Sequence, residues 1–179
     1  MIITMLLDIL LFQKSLKLIK KKALMIKINV ITKNINWLRH LKRPQNYLDR
    51  KINKFNSKDK EFKNKKIFCT LLLAGDKEIL HLNKKFRKKN KTTDVLSFPF
   101  FTKNDLKKKL KTDSEIYVGD IIINLNKIKN KDLNKEFKMN FDHLWIHGLL
   151  HLFGYDHNKD KDFFIMRKVE KKYFNLVNV

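Results

Sequence analysis

Apolar and polar positions alternate along the chain with two different periods, and each change of period marks an element. Ile26, Ile28 and Val30 are separated by Lys27 and Asn29, a period of two that predicts a first strand opening at Met25. From Pro44, which suits the first turn of a helix, Tyr47, Leu48, Ile52 and Phe55 recur at helical spacing. Residues 67–74 are apolar almost throughout and predict the clearest strand, ended by Gly75. A helix follows from Asp76 to Arg87, with Ile79, Leu80, Leu82, Asn83 and Phe86 available to one side. Residues 95–100 read as extended, with Pro99 pointing to an edge strand or a strand end.

The lysine-rich residues 102–114 predict a mobile surface loop, with at most a helical turn at 106–110. Residues 117–124 predict a further strand and 125–134 the beginning of a helix. Two helices close the chain, over about 137–153 and 160–176, the last turning Phe163, Met166, Val169, Tyr173 and Phe174 inward. Strands first and helices last predict an α+β fold, a small mixed sheet packed against helices, rather than a regular α/β alternation. The helix over 137–153 is expected to lie on the sheet, with residues 119–124 and the loop after Arg87 walling a cleft.

The 179 residues suffice for one domain and hardly for two, and residues 25–179 are read as that single domain. Residues 1–24 are read as an extension that is unstructured or precedes the true start of translation at Met25. Their apolar run lacks a preceding basic residue, is interrupted by Asp8 and has no small-residue cleavage site after it. It is also shorter than the ~20 residues that span a bilayer, so no stable membrane association is expected. One cysteine, Cys69, excludes an internal disulfide and is expected to be buried in a strand, in keeping with a reducing cytoplasm.

Charge adds a class of partner to this outline. Forty-one Lys and Arg against 18 Asp and Glu give a formal charge of +23, which attracts polyanions, nucleic acid first among them. The lysines are spread along most of the length, as suits a general electrostatic field better than sequence readout. The joint richness in Lys and Asn also fits AT-rich coding sequence, so part of the charge needs no functional reason.

Candidate chemistry is concentrated in one stretch, where four of the six histidines fall between His143 and His157. His147 and His151, four apart, project from one face of a helix about one turn apart. His143 and His151 lie about 12 Å apart along a helix axis, at ~1.5 Å per residue, too far to share an ion easily. His143 is therefore read as a packing residue or one that supports a ligand from behind. Gly154 suits a left-handed C-cap that folds the chain back over the last turn and brings His157 to the other two. His147, His151 and His157 are thus the expected metal ligands. Three nitrogen donors leave one position of a tetrahedral ion open, as in catalytic zinc sites, where the metal lowers the pKa of water towards about 7. The metzincin proteases share the spacing His-x3-His-x2-Gly-x2-His, with a glutamate after the first histidine as general base. Gly148 stands there, which disfavours a peptidase.

The stretch His-Gly-Leu-Leu-His-Leu-Phe-Gly-Tyr-Asp-His over 147–157 resembles the signature of the YbeY-type endoribonucleases, bacterial rRNA maturation factors. Leu82-Asn83-Lys84-Lys85-Phe86-Arg87, Thr93-Asp94-Val95-Leu96-Ser97-Phe98-Pro99 and Gly119-Asp120-Ile121-Ile122-Ile123 follow the family's order, and Met166 and Glu170 match its last helix. The resemblance covers residues 67–176. It implies a zincin-like arrangement and a cytoplasmic enzyme with one zinc ion per chain. It also implies cleavage of single-stranded RNA in 16S rRNA 3′-end maturation and ribosome quality control, with rRNA and ribosomal subunits as partners. The family's three metal ligands fall on His147, His151 and His157, with His147 counted among the catalytic residues, and its functionally important arginine falls on Arg87. Where the family commonly has tyrosine before that arginine, this chain has Phe86.

A guanidinium suits phosphodiester chemistry for a separate reason, since its planar fork can neutralise the charge that builds on the equatorial oxygens. Arg87 also sits among Lys84, Lys85, Lys88 and Lys89, so one more solvated charge is the competing reading. Of the other polar residues, Asp156 is read as orienting an imidazole or as a turn residue, and Asp94 and Ser97 as lining the cleft or capping turns. Glu170 either braces a histidine or pairs on the helix surface. Trp37 and Trp145 are expected in the core. Two other functions remain compatible with the residues: a metal-dependent peptidase or other hydrolase, and a non-catalytic ribosome assembly factor stabilised by metal.

Overall fold

β2 (Lys66–Ala74) and β4 (Glu115–Asn124) form the centre of a four-stranded sheet in a computed structural model that describes residues 25–58, 65–131 and 133–178. The strand order is β1-β2-β4-β3, with β1 (Met25–Thr32) parallel to β2, β2 parallel to β4, and β3 (Val95–Pro99) antiparallel to β4 on the far edge. Pro99 ends the edge strand, where its missing N–H costs no ladder bond. The reading of residues 1–24 lies outside the described residues.

Five helices complete the described chain. They are α1 (Pro44–Lys58), α2 (Asp76–Arg87), α3 (Lys103–Thr112), α4 (Asn134–Leu152) and α5 (Asp160–Asn178). The mixed sheet packed against helices is the expected α+β arrangement, although helices separate the strands instead of following them. Three local expectations are corrected. Residues 102–114 hold a full helix, α3, because Thr102 caps it by accepting from Asp105 N at 3.3 Å and Leu106 anchors it in the core. After β4 only a single 3-10 turn, Leu125–Lys127, forms. Phe163, expected inward, is 43% exposed, whereas Met166 and Tyr173 are buried with Val177.

Side-chain alternation along β2 and β4 sends the two sets of residues to opposite faces. Leu71, Leu73, Ile121 and Ile123 join the larger core with Trp37, Trp145 and the buried positions of α1, α4 and α5. Ala74, Leu96 and Ile122 join Ile79 of α2 in a smaller cluster. Tyr47, Leu48, Ile52 and Phe55 are the buried stripe of α1, as their spacing predicts. Cys69 is buried, and burial pushes its thiol up to about 12, so it stays an inert core residue.

α4 packs on β3 and β4. A β-carbon built on Gly148 would stand 2.6 Å from Ile121 Cγ2 and 3.2 Å from Ser97 Oγ, so the glycine is what lets the helix backbone lie this close to the sheet. That approach places the histidine face of α4 beside the edge strand.

Candidate metal centre

One turn apart on α4, His147 and His151 bring their Nε2 atoms to 3.1 Å. Both Nδ1 atoms are already engaged. His147 Nδ1 lies 3.1 Å from Glu170 Oε1 on α5, and His151 Nδ1 lies 3.0 Å from the carbonyl oxygen of Tyr155. A carbonyl and a carboxylate can only accept, so each imidazole carries a proton on Nδ1, and in the neutral ring Nε2 is then the lone-pair atom. Two such lone pairs facing one another would repel, and a shared cation would relieve the repulsion. Nitrogens on one tetrahedral zinc, with bonds of ~2.0–2.1 Å, stand roughly 3.3 Å apart, close to the spacing found.

His157 completes the group. The last turn of α4 ends in a Schellman motif, with Gly154 N donating to His151 O at 3.0 Å and Tyr155 N to Leu150 O at 3.1 Å. Gly154 takes the left-handed conformation this requires, at φ 80°. The same turn delivers the Tyr155 carbonyl to His151 and carries the chain back. The ring of His157 then stands 5.5 Å from that of His147 and 5.0 Å from that of His151, between centroids. One ligand atom from each of the three lies within 4.8 Å of the others, so the trio can hold a metal ion. Burial and the two neighbouring imidazoles push His151 down to about 4, which keeps it a neutral donor. His143 stands apart, stacked on Phe174 with centroids 3.7 Å apart.

A cleft of about 700 Å³ adjoins the trio and is lined by His151 and His157. Arg87 and Lys89 also line it, with Ser97 and Pro99 of β3. β3, the edge strand, forms the wall that residues 119–124 were expected to form, because β4 is covered on both edges by β2 and β3. Arg87 is the last residue of α2. Beyond it Lys88 turns left-handed at φ 56°, and buried Asn83 holds the returning loop by donating from Nδ2 to Lys91 O at 2.6 Å.

The smaller polar residues divide. Ser97 is buried on the cleft wall, whereas Asp94 accepts from Val95 N at 2.8 Å and caps its turn. Asp156 is a turn residue, accepting from His157 N at 2.7 Å and from Asn158. Glu170 braces His147. Two contributors escaped the sequence reading: the Tyr155 backbone carbonyl, which has no side-chain signature, and Lys103, which reaches the cleft only because α3 forms.

Comparisons with known proteins identify the family. The family model described as Endoribonuclease YbeY matches residues 27–178. A protein of Pelagibacter ubique named Endoribonuclease YbeY is 43% identical over 156 residues, 86% of this chain and 97% of its own length. A namesake from Ehrlichia canis is 34% identical over 157 residues, 87% of this chain and 94% of its own. A structure from Thermotoga maritima solved in solution is 28% identical, covers 86% of this chain and 89% of its own, and has a TM-score of 0.47, too low to bear on the fold. With its family model matched over nearly all the described residues, the chain belongs to the YbeY endoribonuclease family.

Proposed function

We propose that the chain is a zinc-dependent endoribonuclease specific for single-stranded RNA, with His147, His151 and His157 holding the ion and Arg87 acting on the phosphate. The observation that carries this reading is the pair of Nε2 atoms at 3.1 Å, closed by His157, beside a cleft that Arg87 and Lys89 also line. When bound, zinc supplies a Lewis acid and lowers the pKa of water towards about 7.

The chain's own residues do the rest. Glu170 and the Tyr155 carbonyl hold the protons of His147 and His151 at Nδ1, which fixes both rings and keeps their Nε2 atoms free. The Arg87 guanidinium neutralises charge that develops on the phosphoryl oxygens. Lys89 and Lys103 on the cleft rim hold the backbone of the RNA without reading its bases. Gly148 leaves this helix face without the carboxylate that a metzincin peptidase uses as its base, so the site favours a phosphodiester over a peptide.

The natural task we assign is 16S rRNA 3′-end maturation and quality control of defective ribosomes, in the cytoplasm, with ribosomal subunits as partners. No helix among the described residues is long and apolar enough to cross a membrane. The activity is assigned to residues 25–179 as one domain, and the N-terminal mass of the natural protein tests whether residues 1–24 are retained.

Incubation of purified protein with single-stranded and duplex RNA, with and without chelator, tests the reaction. Cleavage should be confined to unpaired RNA, stop on chelation and return with zinc, while nickel, cobalt and iron arms identify the metal. Arg87→Ala should cost about 10²–10³ in rate with the fold and metal content intact. An assembly factor would keep its function in cells after that change, and a peptidase would depend on it weakly. Chelator-insensitive cleavage, or none with metal demonstrably bound, rules the reading out.

A further inference from the structure

Two of the three histidines, His147 and His157, border a second recess besides the Arg87 cleft. It has a volume of about 170 Å³ and is lined by His147, His157, Phe163, Met166, Arg167 and Glu170. Four of these residues recur at 163, 166, 167 and 170, one helical stripe of α5. Phe163 is 43% exposed, and the Arg167 guanidinium lies over its ring, 6.0 Å from the centroid. His157 borders both recesses, so the two adjoin at the metal centre and one strand can reach from the cleft into this recess.

Resting on the reading as an endoribonuclease, we propose that Phe163 and Arg167 form a stacking subsite for one unpaired nucleobase beside the scissile phosphate. The two recesses differ in chemistry. Arg87, Lys89 and Lys103 suit phosphate on the cleft side, whereas the Glu170 carboxylate in the smaller recess repels phosphate and leaves a phenyl face, a thioether and a guanidinium plane. Those groups suit a neutral planar ring, and base–aromatic stacking tolerates any sequence. The volume is well under the ~300–1,000 Å³ of a site for a drug-sized ligand and admits one ring system. A base can enter only when it is unpaired, so the subsite also supplies a reason for single-strand preference.

The test compares Phe163→Ala, Phe163→Leu, Phe163→Tyr and Arg167→Ala, with melting temperature and metal content checked first. Phe163→Ala should raise KM for single-stranded RNA about tenfold with kcat within about twofold. Tyrosine should restore binding and leucine should not, because a planar ring is what the base needs. An abasic site at one position of the RNA should slow the wild type and have no added effect on Phe163→Ala. A non-cleavable RNA carrying 2-aminopurine at that position should be quenched by zinc-loaded wild type and by the tyrosine variant, but not by the alanine variant.

Leucine performing as well as phenylalanine, or quenching unchanged in Phe163→Ala, overturns the subsite. So does self-association of the wild type that Phe163→Ala abolishes with RNA binding unaltered, which would assign the face to a second copy. The quenching assay needs no cleavage, so it decides the subsite even if the catalytic reading fails.

Discussion

At residue 148 the backbone of α4 comes so near β4 that a side chain of any size would meet Ile121, whose Cγ2 stands 2.6 Å from the β-carbon position. The absence of a glutamate after His147 therefore has a packing cause as well as a chemical consequence: the site cannot use a base at that place. Gly148→Ala should cost about 1–3 kcal/mol through overpacking and loosen the histidine geometry with it. Urea unfolding and a metal competition titration on the same variant check both effects, and an unchanged midpoint would refute the packing argument. The pairing of His147 with His151 was legible because His-x3-His is a statement about one helix turn. Glu170 was legible only as a candidate, since its partner lies 23 residues away on another helix.

Among elements, the end of α4 carries the most consequence for the site. Gly154 sits at φ 80°, and a β-carbon there would stand 3.1 Å from Lys103 Cβ and Cγ, so its backbone and its surroundings both exclude a larger residue. Gly154→Ala should cost about 1–2 kcal/mol from the left-handed conformation. It should also weaken metal binding, because the same turn positions the Tyr155 carbonyl and His157. Isothermal titration with zinc measures the second effect, and full affinity in a destabilised variant would separate the turn from the site. α3 was the element the pattern concealed. Its five lysines gave a polar face, and the informative residues were Thr102 and Asp105, whose reciprocal bonds cap the helix, and Leu106, its buried anchor.

For the whole molecule, the joint between α1, α4 and α5 rests on a fully buried carboxylate. Asp142 accepts from Tyr47 Oη at 3.0 Å and from Trp145 Nε1 at 2.9 Å, and pairs with Lys51 Nζ at 2.8 Å. Lys51 also donates to Val177 O at 3.2 Å, which ties in the end of α5. Asp142→Ala strands these donors and should destabilise the fold by about 3 kcal/mol in denaturant unfolding, with Asp142→Asn milder. Burial, and then the charge of Asp142, raise the pKa of Tyr47 above its ordinary 10.0. The folded state therefore keeps the phenol proton at pH values where the unfolded chain loses it. This contribution is whole below pH 10 and is lost as the pH rises further, so alkaline unfolding should be blunted in Tyr47→Phe. An identical pH profile in that variant would refute the assignment.

Sequence by itself determined what lies within a few residues along the chain. Helix period placed His147 beside His151, glycine at 154 supplied the turn that returns His157, alternation marked β1, and a continuous apolar run marked β2. These follow from local backbone geometry, which residue spacing encodes directly. Tertiary structure decided which strand walls the cleft, that Glu170 rather than Asp156 braces a histidine, and that Asp142 holds three elements together. Each depends on how remote segments pack, and pairing across the fold leaves no periodic trace in the order of residues.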